Sequence, residues 1–72
     1  MIVRIRGSYI TIGQLLKKEN FVNSGGESKF FLLENVVKIN GIRVTTRSTK
    51  VRIDDFVWIN DELIEIKAID ER

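Results

Sequence analysis

The 72-residue sequence contains no cysteine, no histidine and no proline. Without cysteine and histidine the chain has no disulfide, no thiolate or imidazole zinc ligand, no thiol nucleophile and no imidazole base. Because no proline, repeat or low-complexity linker interrupts the chain, we expect a single domain over residues 1–72. The hydrophobic core of a 72-residue domain is only marginally stabilising, so the 43% apolar content is needed for folding without a covalent cross-link.

Long apolar runs are also missing. The longest, residues 30–33 and 56–59, are far shorter than the about 20 residues that a membrane-spanning helix needs. The first six residues mix arginine with isoleucine and valine and lack the apolar block of a secretory signal. We therefore expect a cytoplasmic protein without a membrane partner.

Acidic residues are absent from residues 36–53, although this segment holds five basic ones. The basic residues are Lys38, Arg43, Arg47, Lys50 and Arg52. Residues 54–72 reverse the balance, with seven acidic residues against Lys67 and Arg72. The formal net charge of +2 therefore hides a positive and a negative side, and we expect the positive side to bind polyanions.

Two helices are predicted in the first half of the chain. Thr11 and Gln14 have the spacing of a capping box, in which the two side chains accept hydrogen bonds from otherwise unpaired N–H groups. Ser24 and Glu27 repeat this spacing and predict a second helix, which ends near Asn35.

A hairpin is predicted around Asn40-Gly41, because both positions of its two-residue turn need positive φ. The flanking stretches, residues 36–39 and 42–45, alternate between apolar and other residues and so have one apolar and one basic face. The register places Lys38 opposite Arg43, and this like-charge pair destabilises the hairpin unless an anion lies between the two or both splay into water.

The rest of the chain is predicted to complete a small sheet. Alternation over residues 50–53 indicates a strand, and residues 56–59 and 63–69 indicate a last hairpin. Residues 2–5 form a short strand that we expect to pair with this hairpin. The predicted fold class is α+β, with two N-terminal helices packed on a small, mostly antiparallel sheet.

Several residues between positions 24 and 59 have the spacing of a known family. These are Ser24, Ser28, Phe31, Leu32, residues 37–41, Val44, Ser48, Val51, Asp55 and Val57. The pattern resembles the S-four RNA-binding domain, named for the fourth protein of the small ribosomal subunit. Residues 10–14 (Ile-Thr-Ile-Gly-Gln) and 25–32 (Gly-Gly-Glu-Ser-Lys-Phe-Phe-Leu) are similar to short stand-alone bacterial S-four-like proteins, so the resemblance covers most of the chain.

The resemblance implies the fold of that family, the alpha-L RNA-binding motif, and an RNA-facing surface at the second helix and the following loop. The residues at matching positions are Ser24, Gly25, Gly26, Lys29, Arg47, Ser48 and Lys50. The charge pattern adds Lys38, Arg43 and Arg52. Many family members have Arg at the position of Gly25 and Pro at the position of Arg47, so the resemblance implies that one phosphate contact is removed here and one candidate contact is added. Asp54 replaces the usual turn glycine.

Each of these features also has an ordinary structural explanation. Gly25 and Gly26 are as typical of an ordinary helix start as of a phosphate site. Lys29 and the cations of residues 43–52 are also typical of side chains that only face solvent. The missing acidic residues favour nucleic acid, because a merely solvating face mixes both signs.

Four aromatic residues are interpreted as core, because the basic segment contains no aromatic residue on which bases could stack. They are Phe30, Phe31, Phe56 and Trp58. The carboxylates at positions 54, 55, 61 and 62 fall in predicted turns, so we expect neither a metal site nor acid–base catalysis there.

The sequence thus predicts a non-catalytic RNA-binding protein without cofactor, metal or small-molecule substrate. Structured RNA is the expected partner, and the resemblance implies ribosomal RNA or a ribosome-assembly intermediate. The alternative is a protein–protein adaptor that uses the acidic C-terminal hairpin to bind a basic partner.

Overall fold

The computed structural model describes residues 1–69, which form seven strands and two helices. In chain order these are β1 (Ile2–Ile5), β2 (Tyr9–Thr11), α1 (Ile12–Lys18), α2 (Glu27–Glu34), β3 (Val37–Ile39), β4 (Ile42–Arg43), β5 (Lys50–Arg52), β6 (Phe56–Ile59) and β7 (Glu62–Ala68). The mixed α+β composition matches the predicted class. The acidic residues Asp70 and Glu71, and Arg72, lie outside the described residues.

Five strands form the main sheet, in the order β1-β7-β6-β3-β4. The pairs β3–β4, β3–β6 and β6–β7 are antiparallel, and only β1–β7 is parallel among these described strands. This confirms the mostly antiparallel sheet and the pairing of the N-terminal strand with the last hairpin.

Strands β2 and β5 form a separate antiparallel ribbon, in which Thr11 lies opposite Lys50 and Tyr9 opposite Arg52. The strand around Val51 was predicted, but its partner was not. Three residues before a helix are too few to show the alternation that identifies a strand. The ribbon brings the loop that precedes β5 to the start of α1.

Helix α1 begins with the predicted capping box. The Gln14 N–H donates to Thr11 Oγ1 at 3.2 Å, and the Thr11 N–H donates to Gln14 Oε1 at 3.0 Å. Ile12, Leu15 and Leu16 are buried, as their spacing on one helix face requires.

The capping box predicted at Ser24 is wrong. Helix α2 starts two residues later than that pattern requires, with Gly26 as its N-cap and no side-chain cap. Gly26 already has helical dihedrals (φ −66°, ψ −31°), so Ser24 contributes its carbonyl to the Glu27 N–H, at 3.2 Å, instead of its hydroxyl. The Glu27 carboxylate accepts from the N–H of Asn23 at 3.2 Å.

The Asn40-Gly41 turn forms as predicted, with φ of 50° and 88°, and Lys38 pairs with Arg43. The Asn40 side chain is held by the next turn: its Nδ2 donates to Asp55 Oδ1 at 3.0 Å and its Oδ1 accepts from the Phe56 N–H at 3.0 Å. Asp54, at the usual glycine position, adopts a φ of 73°, which aspartate tolerates better than most residues.

The core lies between one face of the main sheet and the two helices. Its buried members include Leu15, Leu16 and Leu32 from the helices and Val37, Val57, Ile59, Ile64 and Ile66 from the sheet. Ile42 was expected on the apolar face of the hairpin, but it is 74% exposed. Strand β4 is the edge of the sheet, so the core does not extend beneath Ile42.

The interpretation of the aromatic residues as core is wrong for three of the four. Phe30 is 63% exposed, Phe56 43% and Trp58 40%. In β6 the buried residues are Val57 and Ile59, so the two-residue period of a strand puts their aromatic neighbours on the opposite face. Phe31 is half-buried and contacts Phe21 edge to face, with the ring centroids 5.8 Å apart.

Gly13 is buried where α1 approaches the loop before β5. A Cβ atom at this position would lie 3.2 Å from the Arg47 Cβ, 3.3 Å from the Arg47 carbonyl oxygen and 3.5 Å from the Ser28 Oγ. Ser28 is itself completely buried, and its hydroxyl has no hydrogen-bond partner among residues 1–69. Small residues at both positions therefore allow the close contact between the two helix starts and the loop.

We expect Gly13→Val to lower the free energy of unfolding by about 1–3 kcal/mol, because the added methyl groups overpack this contact. Gly25→Val is the matched control, since nothing lies within 4 Å of a Cβ at Gly25, and a change of less than about 0.5 kcal/mol is expected there. Urea unfolding of both variants measures the difference. Equal losses in the two variants would contradict the role assigned to the contact at Gly13.

Candidate nucleic-acid interface

Residues 45–49, here called the Arg47 loop, are hydrogen-bonded to the start of α1. The N–H groups of Ile12 and Gly13 donate to the carbonyls of Thr49 and Arg47, both at 2.9 Å. The loop is closed internally by the hydroxyls of Thr46 and Thr49, 2.6 Å apart. The first N–H groups of α1 are thus satisfied by loop carbonyls.

The Arg47 side chain joins this loop to the start of α2. Its Nη1 donates to the carbonyl of Gly25 at 3.0 Å. A guanidinium has five N–H donors, so this bond orients the group and leaves further donors for a ligand. Arg47 is exposed to solvent. The residue is therefore both a structural link and a cation presented at the surface.

A cleft of about 450 Å³ opens between the Arg47 loop and α2, and we call it the loop–helix cleft. Its lining residues are Gly26, Lys29, Thr45, Thr46, Arg47 and Ser48. The lining contains two cations, three hydroxyl side chains and no carboxylate. The Lys29 ammonium makes no hydrogen bond or ion pair within residues 1–69. The chemistry of this lining suits an anion with several oxygen atoms, such as a phosphate.

Backbone donors at the start of α2 add to this positive character. The N–H groups of Glu27 and Ser28 donate to the carbonyls of Ser24 and Gly25. Those of Gly25 and Gly26 have no acceptor in the part of the chain that the structure describes. Unpaired N–H groups at a helix start attract anions.

A second groove, of about 310 Å³, continues the cleft on the other side of Arg47. It is lined by Thr11, Gly13, Gln14, Gly25, Arg47 and Ser48. Five residues of the predicted site line the loop–helix cleft or this groove: Gly25, Gly26, Lys29, Arg47 and Ser48. Ser24 is exposed beside them but lines neither depression.

Lys50 and Arg52 lie on the β2–β5 ribbon, outside the lining of the loop–helix cleft. The Lys50 ammonium is 4.8 Å from the centre of the Tyr9 ring, in a cation–π contact. Lys50 also pairs with Thr11, the N-cap of α1. These two cations therefore extend the positive surface from the loop towards the first helix.

Lys38 and Arg43 occupy a third position, on the outer face of the main sheet. Lys38 contributes to a shallow depression with Val36, Gly41, Trp58 and Asn60. Neither cation lines the loop–helix cleft. Apart from Ser24, the residues predicted from the sequence are thus divided among the two adjoining depressions, a ribbon and a sheet face.

Sequence reasoning missed several residues near the interface. Thr45 and Thr46 line the cleft, but threonine in an alternating segment is equally typical of a strand. A further cleft of about 480 Å³ is lined by Arg4, Ile5, Arg6, Tyr9, Ile10, Gln14, Lys18 and Ile69. Its members come from both ends of the described chain, so only the strand pairing brings them together.

The carboxylates of the C-terminal half stabilise turns and strands. Asp54 Oδ1 accepts from the Lys67 ammonium at 2.8 Å, and Glu65 Oε2 lies 3.2 Å from it. The hydrogen bond that Lys67 donates to Asp54, followed by the one to Glu65, raises the pKa of Lys67 above its ordinary value. Asp55 accepts from the Arg52 N–H at 2.8 Å.

Residues 1–69 contain no group of three carboxylate, histidine or cysteine side chains placed to hold a metal ion. None of the helices described in this range has the length and apolar character to cross a membrane.

Comparison with known proteins agrees with the motif resemblance. The family model described as "S4 domain" matches residues 3–67. A curated relative, the probable ribosome maturation protein RlbA of Bacillus subtilis (strain 168), is 37% identical over 57 residues, which cover 79% of this chain and 80% of that protein. The resemblance inferred from the motifs is confirmed, and the chain belongs to the S4 domain family.

Proposed function

We propose that this protein is a non-catalytic RNA-binding protein that holds structured RNA in the loop–helix cleft. The observation that carries this proposal is the cleft lining, in which Lys29 and Arg47 face the same space with hydroxyl groups and no carboxylate. The family supports an RNA ligand. The name of the Bacillus subtilis relative supports a ribosomal ligand, either ribosomal RNA or a ribosome-assembly intermediate. A protein with such a ligand would act in the bacterial cytoplasm.

The cleft residues have distinct roles in this proposal. Lys29 supplies a mobile point charge, whereas Arg47 supplies a planar fork that binds phosphate oxygens in pairs. The N–H groups of Gly25 and Gly26 and the hydroxyl of Ser48 complete the coordination of the phosphates. Arg47 is already oriented by its bond to the Gly25 carbonyl, so less conformational entropy is lost on binding.

Recognition through these groups depends on the shape of the RNA. Phosphate contacts position a nucleic acid but carry no sequence information, and the cleft lining has no aromatic side chain on which a base could stack. Folded RNA presents phosphates at fixed separations, which a rigid cleft can match. Lys50 and Arg52, on the neighbouring ribbon, would contact the next phosphates along the same track.

The adaptor alternative depends on negative charge on the last hairpin. Glu65 of this hairpin and Asp54 of the preceding turn are already paired with Lys67. This pairing leaves the hairpin less negative than its sequence suggests and favours the RNA-binding proposal over a basic protein partner.

Binding of a structured RNA should weaken steeply as salt increases. About three to five phosphate contacts predict a slope of about −2 to −4 in a plot of log K against log salt concentration, because each contact releases counterions. Filter binding or fluorescence anisotropy of a labelled RNA hairpin over a salt series gives the slope. A flat response, or no binding at low salt, would contradict the electrostatic mechanism.

Single substitutions should locate the contacts. Lys29→Ala, Arg47→Ala and Lys50→Ala should each weaken binding by about 1 kcal/mol or more, because each removes a charge-assisted contact. Lys67→Ala is the control, since its ammonium is occupied by Asp54 and Glu65. Arg47→Ala should also lower the melting temperature, because it removes the bond to Gly25, whereas Lys29→Ala should not. An equal loss of binding on substitution of Lys67 would place the interface elsewhere.

The type of nucleic acid is a further test. An RNA hairpin or junction should outcompete a fully unstructured single strand and a DNA duplex of equal length at the same salt concentration, because the cleft matches a rigid phosphate track. The protein should also co-sediment with ribosomal particles from a bacterial lysate. Equal competition by all three nucleic acids would reduce the interaction to general charge attraction, and absence from every ribosomal fraction would argue against a ribosomal partner.

A further inference from the structure

The outer face of the main sheet places Lys38 between a second cation, Arg43, and an exposed indole ring. Lys38 pairs across β3 and β4 with Arg43, and across β3 and β6 with Trp58. The neighbouring Val44 N–H donates to the Val37 carbonyl at 2.8 Å. Hydrogen-bonded and non-bonded pairs alternate in an antiparallel ladder, so Lys38 and Arg43 form a non-bonded pair, the kind with the closer side chains.

This pair of cations is not compensated within residues 1–69. The side chains of Lys38 and Arg43 make no hydrogen bond or ion pair there. Directly opposed like charges destabilise a sheet, so the arrangement favours the binding of an anion between them. A phosphate has the charge and the oxygen atoms to contact both side chains at once.

Trp58 provides a surface of a different kind next to these cations. It is 40% exposed, and its cross-strand neighbours on this face are Lys38 and Leu63. Phe56, two residues earlier on the same face, is 43% exposed. An exposed indole beside two cations can stack on a nucleobase while the cations hold its phosphate, as in sites for single-stranded nucleic acid.

We propose that Lys38, Arg43 and Trp58 form a second RNA-binding site, which takes an unpaired nucleotide. The base stacks on the Trp58 ring, and the phosphate lies between Lys38 and Arg43. This inference rests on the proposed function and extends it: the loop–helix cleft holds a folded element, while the sheet face holds a single-stranded segment that continues from it. An apolar protein partner fits less well, because it would bury the two cations without a counter-charge.

Trp58 is the only tryptophan of the chain, so its fluorescence reports directly on this face. The probes are one RNA hairpin in three forms: blunt, with a short unpaired tail, and with the same tail made of abasic nucleotides. The full-length chain should bind the tailed hairpin about tenfold more tightly than the blunt one, with quenching of the tryptophan emission, because a stacked base contributes to affinity. The abasic tail keeps the phosphates but should neither quench the emission nor provide the full gain.

Three substitutions separate stacking from general loss of structure. Trp58→Leu should abolish the gain from the tail and leave the affinity for the blunt hairpin unchanged, whereas Trp58→Phe should retain most of the gain. Phe30→Leu is the control, because it removes an exposed aromatic side chain that lies on α2 instead of the sheet. Circular dichroism and thermal unfolding establish that each variant is folded.

The double substitution of Lys38→Gln and Arg43→Gln tests the phosphate contact. The salt slope for the tailed hairpin should become less steep by about 0.7, because the contact to one phosphate of a single strand is lost. The melting temperature of the free protein should rise at low salt, because the like-charge pair is removed.

The outcomes distinguish this inference from the function on which it rests. If the blunt and tailed hairpins bind equally and the tryptophan emission does not change, the sheet face is not a nucleotide site, although binding in the cleft stands. If Trp58→Leu reduces binding of all three probes alike, Trp58 has a structural role and the second site is overturned. If none of the probes binds at low salt, both proposals fail.

Discussion

The contact between the start of α1 and the Arg47 loop is the constraint on which the rest of the structure depends. Two N–H groups of the helix donate to loop carbonyls, and the absence of a side chain at Gly13 lets the backbones approach. The loop can therefore reach α2, where Arg47 binds the Gly25 carbonyl. A short chain thus builds a cleft from three elements without a disulfide. The backbone hydrogen bonds that hold the loop on α1 do not depend on the conformation of a side chain, whereas the link from the loop to α2 is the Arg47 side chain itself.

The distribution of charge follows from the same arrangement. The basic residues of one continuous segment are carried by a sheet, a loop and a ribbon, while Lys67 is paired with the acidic residues near it. Cations that lack acidic neighbours keep their capacity for an external anion, and a surface of this kind attracts nucleic acid from a distance. Membership of the S4 domain family and the positive lining of the loop–helix cleft each support the proposed RNA ligand independently.

Local features of the sequence predicted the fold well. The capping box at Thr11 and the turn at Asn40-Gly41 depend on neighbouring residues, so their patterns are visible in the sequence and the structure has both. Features that depend on distant pairing were missed: the partner of β5, and the exposure of Trp58, whose face is determined by which residues of β6 meet the core. The site was divided for the same reason: the sequence placed Lys29 on the second helix and Lys38 on the hairpin, but spacing along the chain does not show that Lys38 lies outside the cleft that Lys29 lines.

The turn at Asn40 has a chemical consequence. An asparagine followed by glycine is the sequence most prone to deamidation, because the next backbone nitrogen can attack the side-chain amide and close a succinimide ring. Here both ends of that amide are hydrogen-bonded, to Asp55 and to the Phe56 N–H, and ring closure would require both bonds to break. The native fold therefore slows deamidation of Asn40, and we expect deamidated Asn40 to accumulate mainly in molecules that spend time unfolded.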